Sequence, residues 1–514
     1  MTLLENINLL CTLGLLSTGI VLYAVFLVIY RLFFHPLSDV PGPWYAAIST
    51  FYEFWWDCLE SGRYWTKIRE MHQKYGPIIR INPREVHIND VAFTNNLWSN
   101  SKLDKDPLFY RGFGINKAAF TSVSADVHSM RRRPMAYFFS KANVAKLEPR
   151  ILKWVQHLCD RIEQLKAEHR PIDVSNAYRC FATDVVTDYA FPNTREFLLD
   201  PDFRAGFNNM IRDTSAFINW NRHFPFVYPL VRLVPRDWIA YFNKYGGLTA
   251  VVDNQLEVKA QARAVLNSEK SKDIPVILNE IFESDALPPS EKTFDRIFSE
   301  AYVVIQAGTE TTGSTLAVLT YYLISNPSTY EELKVELNKA AKAAGSAPGS
   351  LLTCQMVEPL PFLQATIKEA LRIGTSVFGR LPRRNPIAAI TYTAPSGKTY
   401  VLPPGTSVSM SLTDLHWNKD IFPNPLEFNP SRWLEATPEK LRVMEKAFMP
   451  FGRGVRQCIG LELAKQELLL VAANLFWKFD FELWNTTIED VTPYHDFFAS
   501  WPANNKGVWV KAKN

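Results

Sequence analysis

The chain has 514 residues, 47% of them hydrophobic, and a formal charge of +4 at pH 7, which supports a large core and gives no reason to expect nucleic acid as a partner. Six cysteines, at 11, 58, 159, 180, 354 and 458, form no C-x-x-C pair, which argues against a zinc site or a disulfide framework and suits a reducing compartment. No long Pro/Gly/Ser-rich or charged linker divides the chain after its first fifty residues, so one large domain is expected.

Asn6 to Tyr30 carries no charge and is long enough to cross a bilayer core as a helix, so residues 6–30 read as a transmembrane anchor. The stretch is too long for a cleaved signal peptide and lacks a small-residue cleavage pattern. Glu5 precedes it while Arg31, Arg63, Lys67 and Arg69 follow, which places the bulk of the chain on the cytosolic side. Residues 31–47 contain His35-Pro-Leu-Ser-Asp-Val-Pro-Gly-Pro43, a stiff hinge whose prolines cannot continue a helix and are expected to hold the backbone extended. The main domain then spans 48–514. Within it Lys67–Tyr75 reads as an amphipathic helix and Pro77–Ile88 as a short hairpin. Helical periods recur over 144–166, 293–325, 328–344 and 356–373, so the chain is mainly α.

In His128-Ser-Met-Arg-Arg-Arg133, His128 and Arg132 stand four apart and share a helix face, which turns Arg132 inward and leaves Arg131 and Arg133 on the surface. Phe217 to Trp238 is rich in aromatic residues and proline, a composition that suits either a membrane interface or core packing. The long helix over 293–325 carries Ala307-Gly-Thr-Glu-Thr-Thr-Gly313 at its middle. These are poor helix formers, and hydroxyls at Thr311 and Thr312 can bond back to carbonyls and open a groove large enough for dioxygen. Glu369 and Arg372 stand three apart on one helix face and can pair. Asn485-Thr486-Thr487 is a glycosylation sequon, a match more often unused than used.

Phe451-Gly-Arg-Gly-Val-Arg-Gln-Cys-Ile-Gly460 is the most informative stretch. It sets Cys458 in a frame where Gly454 and Gly460 permit close backbone approaches, as a thiolate beside a buried haem iron needs. Arg456 supplies a cation for a haem propionate.

This loop resembles the cysteine-ligand loop of the cytochrome P450 superfamily, the haem-thiolate monooxygenases, and the resemblance extends over residues 36 to 510. It implies a mainly α fold, a helical haem-enclosing domain with small β-sheets, preceded by one N-terminal transmembrane helix. It also implies haem b as cofactor with Cys458 as the axial iron ligand. Glu310 and Thr311 match the family's acid and alcohol pair that relays protons to dioxygen, and His128, Arg132, Arg383 and Arg456 match positions that bind the propionates, with Arg384 as an alternative to Arg383. Phe428-Asn-Pro-Ser-Arg-Trp433 resembles the family's second arginine segment, which makes Glu369, Arg372 and Arg432 a structural network behind the cysteine loop. Tyr110, Phe113, Val377, Phe378, Phe497 and Phe498 lie in stretches that line the substrate pocket of related enzymes.

Arg80-Ile-Asn-Pro-Arg-Glu-Val-His87 and the hinge look most like fungal enzymes near trichodiene oxygenase, which suggests specialised metabolism and a terpenoid or another apolar polycyclic substrate. Gly112-Phe-Gly114 lacks the third glycine of a dinucleotide motif, so electrons are expected from a separate NADPH-cytochrome P450 reductase, with cytochrome b5 as a second donor. Arg131, Arg133, Lys141 and Arg453 offer a basic patch for that partner. The family's microsomal members imply the endoplasmic reticulum membrane. Two rival readings are a haem-thiolate isomerase or dehydratase that needs no reductase, and a haem-binding sensor without turnover.

Overall fold

The computed structural model describes residues 3–191, 194–242, 247–267, 277–347 and 349–513. An N-terminal helix α1 (Leu3–Ile29) precedes the helices that position the site, α2 (Ala125–Ala136), α3 (Val174–Ala190), α4 (Ala205–His223), α5 (Gly247–Asn267), α6 (Phe294–Ser325), α7 (Pro361–Gly374) and α8 (Leu461–Lys478). Proline sets several of the boundaries, because it is accepted in the first turn of a helix and nowhere later without loss of a hydrogen bond. The expected helix over 144–166 is therefore two, Lys141–Ala145 and Glu148–Ala167, parted just before Pro149. The one expected over 356–373 divides in the same way at Pro361 into Cys354–Val357 and α7.

The apolar helix α1 runs on as a wider helical turn over Tyr30–Phe34, and Cys11–Phe34 is long and apolar enough to cross a membrane. None of that window is buried against the rest of the chain. The proline segment behind it corrects the expectation of an extended strap. Ser38 N–H donates to the His35 carbonyl at 2.8 Å and Val40 N–H to Leu37 at 3.2 Å, so the chain turns here and buries Leu37 and Val40. The Pro41 carbonyl then accepts from Arg80 N–H at 2.7 Å, and a β-carbon on Gly42 would lie 2.6 Å from the Arg80 carbonyl oxygen. The segment is clamped to the sheet because glycine allows that approach.

That sheet contains β1 (Ile78–Asn82), β2 (Glu85–Ile88), β3 (Asp104–Lys105), β4 (Arg383–Arg384) and β5 (Ser407–Ser409), in the order β1-β2-β5-β4-β3. The hairpin expected over 77–88 is the antiparallel pair β1–β2. Pairing of β3 with β4 sets Lys105 opposite Arg383, a juxtaposition with consequences for the site. A second hairpin, β6 (His495–Phe497) with β7 (Ala499–Trp501), turns at Phe498, whose φ of +72° is unusual for a side chain of this size.

The long helix α6 is the axis of the main core, with α3, α7 and α8 packed around it. The buried core to which it belongs includes Trp154, Phe181, Leu371 and Leu470. Contact with α3 is closest at Gly313, where a β-carbon would sit 2.7 Å from Cγ of Arg179 and 3.1 Å from its Cα. Overfilling a packed contact costs about 1–3 kcal/mol. Gly313→Val should therefore lose about 1–3 kcal/mol in urea unfolding, whereas Gly206→Ala, where a β-carbon meets nothing within 4 Å, should lose nothing. Equal midpoints for Gly313→Val and the unaltered chain would contradict the close approach.

Candidate active site

A cavity of about 730 Å³ lies between α6 and the cysteine loop. Cys458 forms its floor, Gly308, Thr311 and Thr312 of α6 face it, and aromatic side chains make much of its wall.

The loop under the cavity is held by short-range bonds. Cys458 N–H donates to the Phe451 carbonyl at 2.9 Å, and Gly452 N–H to Met449 at 2.9 Å. Gly454 adopts φ +73°, and a β-carbon there would stand 2.5 Å from the Trp98 carbonyl oxygen. This glycine is thus required by packing against residues 94–98 rather than by approach to sulfur. Gly460 serves the sulfur itself, since its backbone N–H lowers the Cys458 pKa, as does the charge of Arg132. Burial outweighs both and raises the thiol above its ordinary value, although Sγ is open to the cavity. A metal ion bound here would reverse that balance and hold a thiolate.

Beside the cysteine the charges are of one sign. His128 is buried, and its pKa falls to about 3 through burial and then the fields of Arg456, Lys105, Arg132 and Arg383. All four cations line the cavity, and among the described residues none pairs with a carboxylate side chain. Arg456 donates to the Ser122 and Val123 carbonyls at 2.8 Å each, its Nε is buried without a partner, and burial takes its pKa to about 10. Arg383 donates to Tyr110 Oη at 3.1 Å. Arg384 does not reach the cavity, so the choice between the two arginines falls on Arg383. Lys105 Nζ donates to the Phe120 carbonyl and stands 4.1 Å and 4.0 Å from the Tyr110 and Phe120 ring centroids, with its pKa pushed well down by burial. A buried cluster of cations without anions is costly. Two carboxylates of a bound group would neutralise it, and the pair of propionates on a haem fits that requirement with Cys458 at hand as iron ligand.

Above the cavity α6 continues without a break through 307–313. Thr311 Oγ1 donates to the Ala307 carbonyl at 2.9 Å, while the Thr311 carbonyl accepts from Thr315 Oγ1 at 2.7 Å and from Ser376 Oγ at 3.3 Å. Gly308 is there for packing, since a β-carbon would meet Val186 at 3.2 Å. Glu310 is buried and held by a bidentate ion pair with Arg179, at 2.8 and 3.0 Å. A second acid, Glu467 of α8, accepts from Thr312 Oγ1 at 3.0 Å, and burial pushes its pKa up to about 8.

Glu369, Arg372 and Arg432 come together behind the loop. Arg372 grips both oxygens of Glu369 at 3.0 and 2.7 Å, and Arg432 Nε reaches it at 2.9 Å. Arg372 Nη1 also donates to the His416 carbonyl at 2.9 Å. The His416 ring continues the chain of contacts, because Nε2 accepts from Met449 N–H at 3.0 Å at the head of the cysteine loop. With Nε2 an acceptor, the ring proton sits on Nδ1, which faces Thr375 Oγ1 at 3.1 Å.

Two expectations need correction. Phe378 does not line the cavity. Its ring is buried between Trp65, at 4.9 Å, and Trp417, at 6.1 Å, and only its backbone serves the pocket, by bonding to the Phe498 carbonyl at 2.8 Å. Tyr110, Phe113, Val377, Phe497 and Phe498 do face the cavity. Arg131 is buried rather than exposed, paired with Glu291 at 2.7 and 2.8 Å, because the turn before α6 brings that carboxylate onto α2. It cannot belong to a basic docking patch, whereas Arg133, Lys141 and Arg453 remain at the surface, Lys141 in an exposed pair with Glu358 at 2.8 Å.

The cytochrome P450 family model matches residues 43–504. This chain belongs to the cytochrome P450 family. It is 36% identical to cytochrome P450 monooxygenase sdnE of Sordaria araneosa, with 96% of each chain covered. It is 34% identical to the fusicoccadiene C-8 hydroxylase of Phomopsis amygdali (97% of this chain, 96% of that one) and 33% identical to the tryptophan 6-hydroxylase fscE of Fusarium equiseti (97% and 96%). The chain is thus a P450 monooxygenase, and the family's haem-thiolate chemistry accords with the cysteine and the unpaired cations of its cavity.

Lys105, Arg179, His416 and Glu467 were not singled out in the sequence. Of these, His416 gives a direct test. Removing its ring strands the buried Met449 N–H, a loss of about 1–3 kcal/mol. Burial, with the charge of Arg372, lowers the His416 pKa from 6.5 to about 3, so between those values the unfolded chain binds the proton and the folded chain does not. Its share of stability is complete above pH 6.5 and is lost as pH falls towards 3. His416→Leu should lower stability at neutral pH, flatten the decline on acidification and speed haem loss. Unchanged haem retention together with an unchanged pH profile would contradict the role.

Proposed function

We propose that this P450 holds haem b through Cys458 and inserts one atom of dioxygen into an apolar small molecule, a terpenoid or related specialised metabolite. The observation that carries this reading is that the Cys458 sulfur and the Thr311 side chain open on the same cavity, with unpaired cations at its edge. His128, Arg132, Arg383, Arg456 and Lys105 would hold the propionates. When bound, haem supplies the redox chemistry by which a C–H group, dioxygen, two electrons and two protons become an alcohol and water.

The chain's own residues supply the protons and exclude water. Thr311, whose hydroxyl is anchored to Ala307, hands a proton to the cavity, and Glu310 restores it. In the conformation described both Glu310 oxygens are engaged by Arg179, so Glu310 has to turn away from that guanidinium to reach Thr311. Arg179 therefore meters the relay. The aromatic wall, with Phe498 packed against Phe113 at 4.9 Å and Phe120 at 5.6 Å, favours an apolar substrate. The likeness to a fusicoccadiene hydroxylase supports a terpenoid.

Electrons come from an NADPH-cytochrome P450 reductase, with cytochrome b5 as a second donor. The apolar helix over residues 6–30 anchors the chain in the endoplasmic reticulum membrane, and residues 31–47 seat the catalytic domain, 48–514, against it. Exposed Phe226, Leu230, Leu233 and Trp238 form a second lipid contact, whereas Phe217 and Tyr228 of the same stretch face the cavity.

Comparing the metabolites of cells with and without the functional chain identifies the substrate. With that compound, reductase and NADPH, product formed under isotopically labelled dioxygen should gain one labelled oxygen atom. Product formed without NADPH, or without label, would overturn the reading in favour of an isomerase or dehydratase. Thr311→Ala should retain haem and substrate binding while diverting NADPH consumption to hydrogen peroxide, and unchanged coupling would remove Thr311 from the relay.

A further inference from the structure

A second hollow, of about 60 Å³, lies between the start of α3, the later turns of α6 and residues 490–507. Exposed Asn505 and Lys506 are among its walls, so it opens on solvent, and Asp173, Ser175 and Ser314 make it polar. Arg179 lines this crevice, whereas its partner Glu310 lines the cavity above Cys458. The Arg179–Glu310 ion pair is thus the partition between solvent and the active site.

That position constrains how Glu310 is loaded. Both of its oxygens are held by a guanidinium, and turning a charged carboxylate away from it would strand two buried charges. Glu310 is therefore released only once it is protonated, and the proton has to reach it while it still faces Arg179. The guanidinium cannot pass one on, because it does not deprotonate. The source is then a carboxyl on the crevice side. Asp490 is already committed, accepting from Thr487 N–H at 2.7 Å and standing 3.9 Å from Lys506 Nζ. Asp173 caps α3, accepting from Asn176 N–H at 3.0 Å and Asn176 Nδ2 at 2.8 Å. Its burial outweighs those bonds and the charge of Arg179, and raises its pKa to about 6.

We propose that protons for the Thr311 relay enter through this crevice and that Asp173 passes them, by way of water, to Glu310. The inference rests on the relay proposed above and names its source. A polar hollow of this size takes two waters, at about 30 Å³ each. The Asp173 O–H gives its proton to water, water gives one to a Glu310 oxygen, and solvent later restores Asp173. Charge stays balanced throughout. Before the transfer Glu310 neutralises Arg179, and after it the Asp173 carboxylate does so, since its field already acts on that guanidinium. Neutral Glu310 is then free to turn to Thr311.

The test uses the full-length, haem-loaded enzyme with reductase, NADPH and drimane, an apolar bicyclic hydrocarbon, as probe. NADPH consumption is followed, because two protons are taken up whether dioxygen ends as alcohol and water or as hydrogen peroxide. Asp173→Asn still caps α3 but carries no acidic proton, and should consume NADPH about tenfold more slowly, with a larger solvent deuterium isotope effect. Its spin-state shift with drimane, carbon-monoxide band and urea midpoint should be unchanged. In Asp173→Ala, which leaves space in the crevice, added formate should restore the rate with saturation, and it should not do so in Asp173→Asn. The inference is overturned if Asp173→Asn matches the unaltered enzyme, or if a slowed Asp173→Ala gains nothing from formate, as a carboxylate that only caps the helix would behave. Unchanged coupling in Thr311→Ala would instead strike the relay on which the inference rests, and absence of the red-shifted carbon-monoxide band in the unaltered enzyme would strike the haem reading.

Discussion

A carboxylate with no access to water has to be matched by cations, and Glu369 meets that demand with Arg372, Arg432 and the Trp433 indole N–H at 2.9 Å. Breaking such a buried pair by removing one partner costs about 3–5 kcal/mol. The requirement brings two segments distant in sequence to one point. From there Arg372 reaches the His416 carbonyl and the His416 ring reaches Met449, so the position of the cysteine loop is inherited from the ion network. The network touches no substrate, and its consequence is geometric: it fixes the floor of the cavity.

At the edge of the cavity the opposite condition holds. Lys105, Arg132, Arg383 and Arg456 are gathered without carboxylates to balance them, and burial lowers the pKa of Lys105, Arg132 and Arg456. One part of the fold is complete in itself and holds the sulfur in place, while the other is incomplete until an anionic group arrives. Groups that the chain satisfies internally position the site, and groups that it leaves unsatisfied mark where ligands belong.

Much of this was legible in the sequence wherever a local pattern specified the result. The cysteine loop, the E-x-x-R helix and the β1–β2 hairpin are short, contiguous signals, and each lies where its pattern indicated, whereas the 307–313 segment, expected to loosen its helix, stays continuous, with Thr312 turned to Glu467. What escaped depended on pairing across long separations. Lys105 sits in a two-residue strand and acquires its place only because β3 pairs with β4. Arg131 reads as exposed by helical spacing, yet Glu291 reaches it from the turn before α6. Phe378 neighbours Val377, but alternation along the chain sends one ring between two tryptophans and the other side chain into the cavity. His416 carries no motif at all, since its role follows from two hydrogen bonds to remote segments.

The central claim is that this cavity is built to hold one haem through Cys458, and the carbon-monoxide difference spectrum of the reduced, purified chain tests it most directly. The account predicts one haem per chain and the red-shifted Soret band of a thiolate-ligated ferrous complex, with that band abolished in Cys458→Ala. Persistence of the band in Cys458→Ala would contradict it.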